Sequence, residues 1–162
     1  MLTVRAPATS ANLGSGFDVF GVALERPADI VRVSKADRTT IEVTGAGSQF
    51  IPEDPDKNTV GAVAEALDAP AHIEIDKGVR PASGLGSSAA SAAAAAVGLN
   101  ELYDRGYTRE ELVPVAATIS QPNGTAPGIA RSSHAPTANR ILTRAPAALP
   151  AMRAVPTSTA IR

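Results

Sequence analysis

No acidic residue follows Glu111. All sixteen aspartates and glutamates lie at or before it, together with ten of the fifteen basic residues. From Leu112 onward five arginines stand without an acid, so the two stretches carry net charges of −6 and +5 in a chain of −1 overall. The second stretch also lacks lysine and aromatic residues and holds seven of the thirteen prolines. Such a composition buries too little apolar surface to offset the entropy of ordering. The expected organisation is one folded domain over residues 1–117 and a Pro/Ala/Arg-rich, disordered tail over 118–162. A sharper reading explains the same break: residues from about Thr118 are the product of a shifted reading frame in a GC-rich gene.

Several classes of function are excluded by what the chain lacks. Without cysteine there is no disulfide framework, thiolate metal site or thiol nucleophile. A near-neutral balance gives no global attraction to nucleic acid or to acidic membranes, and neither is expected as a partner. The apolar run Ala89–Leu99 is too short to span a bilayer. The opening MLTVRAPATS has no apolar core of a secretory signal, so a cytoplasmic location is expected.

Residues 2–7 read as a short strand ending at Pro7, 8–16 as a loop, and 17–24 as a β-prone run. Residues 29–34 and 39–44 alternate with period two, so the opening is expected to be an antiparallel meander. Asn58 or Thr59 can cap a helix whose apolar residues Val60, Val63, Ala64 and Leu67 share a face. Residues 71–76 alternate again and place Ile73 and Ile75 together. Helices are expected from about Ser87 to Tyr103 and from about Thr108 to Ala117, the second opened by a Thr108–Glu111 capping box. Strands and helices alternate irregularly, which favours an α+β layered domain.

Two loops carry chemistry. Pro81-Ala82-Ser83-Gly84-Leu85-Gly86-Ser87-Ser88-Ala89-Ala90-Ser91 joins a strand to an alanine-rich helix. Gly84 and Gly86 permit positive φ and leave no Cβ between backbone and ligand. Successive amides can then converge on an anion at the helix start, and Ser87 and Ser88 add hydroxyls for a phosphate oxygen or a hydrated cation. A triphosphate suits that combination. It is not a Walker loop, since no Gly-Lys-Ser/Thr follows, and position 89 lacks the last glycine of a dinucleotide fingerprint. The helix behind it is nearly all alanine, slender enough to lie close to a neighbour and hold the loop still. The other loop, residues 7–18, brings Asn12 and Asp18 among small residues; an amide and a carboxylate suit an amino-acid ammonium group, and a sugar equally.

At these loops the sequence resembles the galacto-, homoserine, mevalonate and phosphomevalonate (GHMP) kinase superfamily, and within it the homoserine kinases. PATSANLGSGFDVFGVAL at 7–24 is similar to their N-terminal signature, and PASGLGSSAAS at 81–91 to the superfamily ATP motif. The likeness covers about residues 1–117. It implies a ribosomal-protein-S5-like α+β domain, ATP with Mg2+ as cofactors, and phosphorylation of L-homoserine, a small-molecule substrate, on the way to threonine. It implies that Pro81–Ser91 wraps the ATP phosphates, that Ser88 is the hydroxyl ligand of Mg2+, and that Asn12 and Asp18 hold the homoserine. A homodimer is left open. No catalytic residue is carried over, and other kinases of the superfamily, acting on mevalonate, shikimate or a sugar, stay as alternatives, as does a non-catalytic nucleotide-binding fragment.

Past residue 117 the likeness stops. Family members supply a glutamate for Mg2+ after this helix, then an Ala-His-Ala-Asp-Asn stretch; here residues 118–139 read TISQPNGTAPGIARSSHAPTAN, with no acid. His134 and Asn139 are out of that spacing and take no role. The expectation is a chain of little or no kinase activity. Elsewhere His72 is expected on a polar strand face, Glu53, Asp54 and Asp56 in a solvated turn, and Tyr103 and Tyr107 packed at a helix end.

Overall fold

The computed structural model describes residues 1–16, 19–119 and 154–156. The order is β1 (Leu2–Ala11), β2 (Gly21–Lys35), β3 (Thr40–Gly45), α1 (Thr59–Ala66), β4 (Ala71–Lys77), α2 (Ser87–Leu102), α3 (Arg109–Ile119) and a short β5 (Ala154–Pro156). The strands form one sheet in the order β3-β4-β2-β1-β5, with helices packed on one face. This is the α+β arrangement expected.

Period-two patterning decides which face is covered. Val4, Ala6 and Ala8 of β1, Val31 and Val33 of β2, Ile41 and Val43 of β3, and Ile73 and Ile75 of β4 are all buried. Their neighbours Thr3, Arg32, Glu42, His72 and Glu74 fall on the opposite face, where Arg32 pairs with Glu74. Across the buried face Val60, Val63 and Ala64 of α1, Leu67 at its C-cap, and Ala92, Ala95, Ala96 and Leu99 of α2 complete the core. Each fully buried valine or leucine stabilises the fold by about 1.5–3 kcal/mol relative to exposure.

The helix limits follow local chemistry. The Asn58 side chain accepts from the Val60 amide at 3.0 Å and donates to the Pro52 carbonyl at 2.6 Å, capping α1. At α3 the capping box closes in both directions: Glu111 Oε2 accepts from the Thr108 amide at 2.8 Å, and Thr108 Oγ1 accepts from the Glu111 amide at 3.3 Å. Between α2 and α3 the Asn100 side chain bridges the backbone of Tyr107 through its amide and its carbonyl, each at 3.0 Å. Tyr103 packs as expected, with its hydroxyl donating to the Pro70 carbonyl and Lys35 and Arg105 over its ring.

Three local expectations are corrected. β1 does not stop at Pro7 but runs to Ala11, because the ladder with β2 shifts register between Pro7 and Thr9 and resumes as Thr9↔Ala23. For the same reason residues 21–35 are one strand, where the sequence showed two runs. The opening is not a meander: β4 inserts between β2 and β3, antiparallel to the first and parallel to the second. A parallel pair needs a crossover, and the segment containing α1 supplies it.

Asp18 and Phe17 lie outside the described residues, as does the expected tail apart from residues 118–119 and 154–156. The backbone of β5 pairs antiparallel with β1 from Leu2↔Pro156 to Val4↔Ala154.

Candidate phosphate-binding site

β4 delivers the chain to the glycine loop and α2 receives it. Gly84 and Gly86 have φ of 74° and 70°, the left-handed conformation the sequence required of them. A Cβ on Gly84 would meet nothing within 4 Å, so the loop's tip stands clear of the rest of the domain. Gly86 is the N-cap of α2 and has no side chain to satisfy the amides that follow. Among the described residues none accepts a hydrogen bond from the amides of Gly84, Gly86, Ser87, Ser88 or Ala89. These are the donors a polyanion needs, at the positive end of a sixteen-residue helix.

Beside the loop lies a cavity of about 180 Å³. Pro81, Ser87, Ser88 and Ser91 form one wall, Phe50, Ile51, Pro52, Lys57, Asn58 and Thr59 the other, with Lys77 and Ile75 between them. The two serines differ. Ser87 Oγ donates to the Val79 carbonyl at 2.7 Å and ties the loop's ends together. The exposed Ser88 hydroxyl has no hydrogen-bond partner among the described residues, which leaves it for a ligand.

Beneath the loop is a buried ion pair. Lys77 Nζ donates to Asp29 Oδ2, to the Ser87 carbonyl at 2.9 Å and to Ser91 Oγ at 2.8 Å. An ammonium has three hydrogens, and all three are used. Asp29 Oδ1 accepts from the amides of Gly78 at 3.1 Å and Val79 at 2.9 Å, while Ser91 Oγ donates to its Oδ2 at 2.8 Å. Burial pushes the Lys77 ammonium below the ordinary lysine range, and the Asp29 carboxylate opposes that shift.

Asp29 and Lys77 were not singled out from the sequence, although a signal existed. Asp29 is in phase with the inward Val31 and Val33, and Lys77 with Ile73 and Ile75; opposite charges at inward positions of two strands meet as a pair. The wall around residues 50–59 was also missed, since it reads as a plain proline-rich loop.

The first loop joins the site through β1: the Thr9 amide donates to the Leu85 carbonyl at 3.0 Å. Asn12, exposed with φ of 58°, lies just past the end of that strand. Leu13, Val19, Phe20 and Val22 expose apolar side chains around the same loop. Glu53 and Asp54, in the loop before α1, serve the fold. Glu53 Oε1 accepts from the Val43 amide at 2.9 Å, and Asp54 pairs with Lys57 at 2.9 Å, which holds the Asp54 carboxyl below its usual range. His72 lies on the polar face with Nδ1 2.9 Å from Thr40 Oγ1. Among the described residues no cluster of acids and histidines could hold a metal by itself.

Comparisons with known proteins find relatives of this fold. Residues 57–130 match the GHMP kinases N terminal domain. A homoserine kinase of Haloarcula marismortui is 91% identical over 117 residues, covering 72% of this chain and 40% of that protein. One of Natronomonas pharaonis is 88% identical over the same shares. The crystal structure of a homoserine kinase from Cytophaga hutchinsonii aligns with a TM-score of 0.64 at 36% identity, over 73% of this chain and 40% of that one. A mevalonate kinase of L. major, at 18% identity and a TM-score of 0.57, shares the fold. The chain thus spans about two fifths of the length of the curated relatives it matches. It carries the fold of a GHMP kinase N-terminal domain, matched by the family over residues 57–130 and by homoserine kinases over 117 residues.

Proposed function

We propose that this domain binds ATP and contributes its half of a site for phosphorylating L-homoserine. The observation that carries the reading is the set of amides of Gly84, Gly86, Ser87, Ser88 and Ala89, which have no acceptor among the described residues and open beside the 180 Å³ cavity. Pro81–Ser91 would wrap the β- and γ-phosphates, and the wall from Phe50 to Thr59 would face the nucleoside end. Asn12 and Asp18 would hold the amino acid, bringing its hydroxyl oxygen in line with the γ-phosphorus. As the new O–P bond forms, the bond from the γ-phosphorus to the bridging oxygen breaks, ADP leaves with that electron pair, and the hydroxyl proton passes to water. Loose transfer of this kind asks chiefly for positioning and charge neutralisation, which backbone amides supply. Relatives named homoserine kinase at 91% and 88% identity support this substrate over others of the superfamily.

Mg2+ fits this half-site only in part. The free Ser88 hydroxyl is one suitable oxygen, and a divalent ion there would neutralise developing charge on the phosphates. No carboxylate among the described residues lines that cavity. We therefore expect nucleotide binding with little turnover from this chain. We further propose that the domain comprises residues 1–117 and that residues 118–162 arise from a shifted frame; the DNA around codon 118 checks this, an alternate frame without acidic codons overturning it.

Calorimetric titration of the full chain with ATP and Mg2+ tests the nucleotide reading, and saturable binding is the expected result. A coupled assay with ATP and L-homoserine should give turnover far below an ordinary small-molecule kinase. Absence of any nucleotide binding would overturn the first reading, and ordinary turnover the second.

A further inference from the structure

We infer that Asp29 is a positioning residue for the phosphate loop, acting through Lys77 and Ser91 to hold the nest open before any ligand arrives. The inference rests on the nucleotide-binding reading above. Asp29 lies on β2, with Lys77 at the end of β4, one step beyond the Ile30↔Asp76 pair. Both are buried. One carboxylate oxygen takes the amides of Gly78 and Val79, where the chain leaves β4 for the loop. The other takes Lys77 and Ser91, and Lys77 passes the connection on to the carbonyl of Ser87, in the first turn of α2. Entry and exit of the glycine loop are therefore bonded to a single side chain from a third element.

Stability alone does not account for a pair of charges here. Taking both charges out of water is costly, and well-packed apolar side chains of similar volume commonly serve a fold as well or better. What an apolar pair would not do is fix the direction of the amides and hydroxyls around it. The ammonium has no hydrogen left for a ligand, so it acts on the site by orientation and by its charge close behind the anion cradle. A loop ordered in advance spends less binding energy on its own ordering.

The test uses the full chain with the double substitution Asp29→Leu/Lys77→Met, which replaces the ion pair by apolar side chains, and the single substitution Asp29→Asn. Thermal melting reports folding, titration with ATP and Mg2+ reports binding, and amide order parameters without nucleotide report the loop itself. The double variant is expected to melt near the parent yet bind ATP at least tenfold more weakly. The order parameters of Gly84, Gly86 and Ser88 should fall from about 0.85 toward about 0.6. Should the double variant not fold, Asp29→Asn, which keeps the shape and an acceptor for Gly78 and Val79, is expected to give the same loosening and weaker binding. An unchanged loop in a folded variant overturns the inference. So does parent-like ATP affinity in a variant whose parent binds. A parent that binds no ATP sinks the nucleotide reading instead, while the order parameters, which need no ligand, still decide whether Asp29 holds the loop.

Discussion

Thr9 and Gly86 meet where the two signature loops join: a Cβ on Gly86 would stand 2.6 Å from Thr9 Oγ1. Residues distant in the sequence are thereby parts of one wall, since the amide of Thr9 also bonds the carbonyl of Leu85. The closeness is possible only without a side chain at position 86. That same position has φ of 70° and begins α2, so one glycine meets a steric demand and a conformational demand at once.

Gly86→Ala should therefore cost more than its small size implies. Left-handed backbone costs an alanine about 1–2 kcal/mol, and the clash with Thr9 adds to it. Chemical denaturation should give a loss above about 1 kcal/mol, together with weaker ATP binding. A variant of parental stability would show that the loop relaxes freely.

Gly84→Ala separates the two demands. Its φ of 74° carries the same backbone penalty, but a Cβ there meets nothing within 4 Å. Stability should fall by no more than about 1–2 kcal/mol. The loss of ATP affinity should be the larger effect, because the new methyl stands where the anion approaches. Equal affinity in parent and variant would place the phosphates elsewhere.

Behind the loop, Gly98 sets how closely α2 lies on the sheet. A Cβ there would stand 3.1 Å from Val33 Cγ2 and 3.2 Å from Val4 Cγ2. Gly98→Val should overpack that contact and destabilise by about 1–3 kcal/mol in urea titration. Leu99→Ala, at a fully buried position of the same helix, should cost about 2–5 kcal/mol by leaving a cavity.

How far the sequence reveals this molecule depends on the range of the interaction. Parity placed Val31, Val33, Ile73 and Ile75 inward, and the Asn58 cap, the Thr108–Glu111 box and the two positive-φ glycines all formed as their residue types require. These are decided within a few residues. The order of strands is not: nothing near residues 39–44 says that β4 will separate β3 from β2. Nor does a local pattern reveal that Pro7 lies inside a strand, since the register shift beside it depends on β2. The candidate site divides the same way. Its glycine loop was legible because backbone geometry names its residues, whereas the Asp29–Lys77 pair needed two strands laid side by side. The wall from Phe50 to Thr59 carries no signature, being defined only by what it faces.

The capping box gives the domain a pH dependence of known sign. Glu111 accepts from the amide and the hydroxyl of Thr108, and these bonds, the amide's first, hold its carboxyl below the ordinary value of 4.5. The folded state therefore favours the ionised form. That contribution is complete above the unfolded carboxylate range and fades as pH falls through the lower folded value. Protection of the amides at the start of α3, taken relative to their intrinsic exchange rates, should decline over this acidic interval in the parent. In Glu111→Gln the interval should be flat, with α3 already less protected at neutral pH, because the amide side chain accepts more weakly than a carboxylate. Thr108→Ala should remove both directions of the box and flatten the profile as well. Protection in Glu111→Gln that still declined through that interval would assign the dependence to another group.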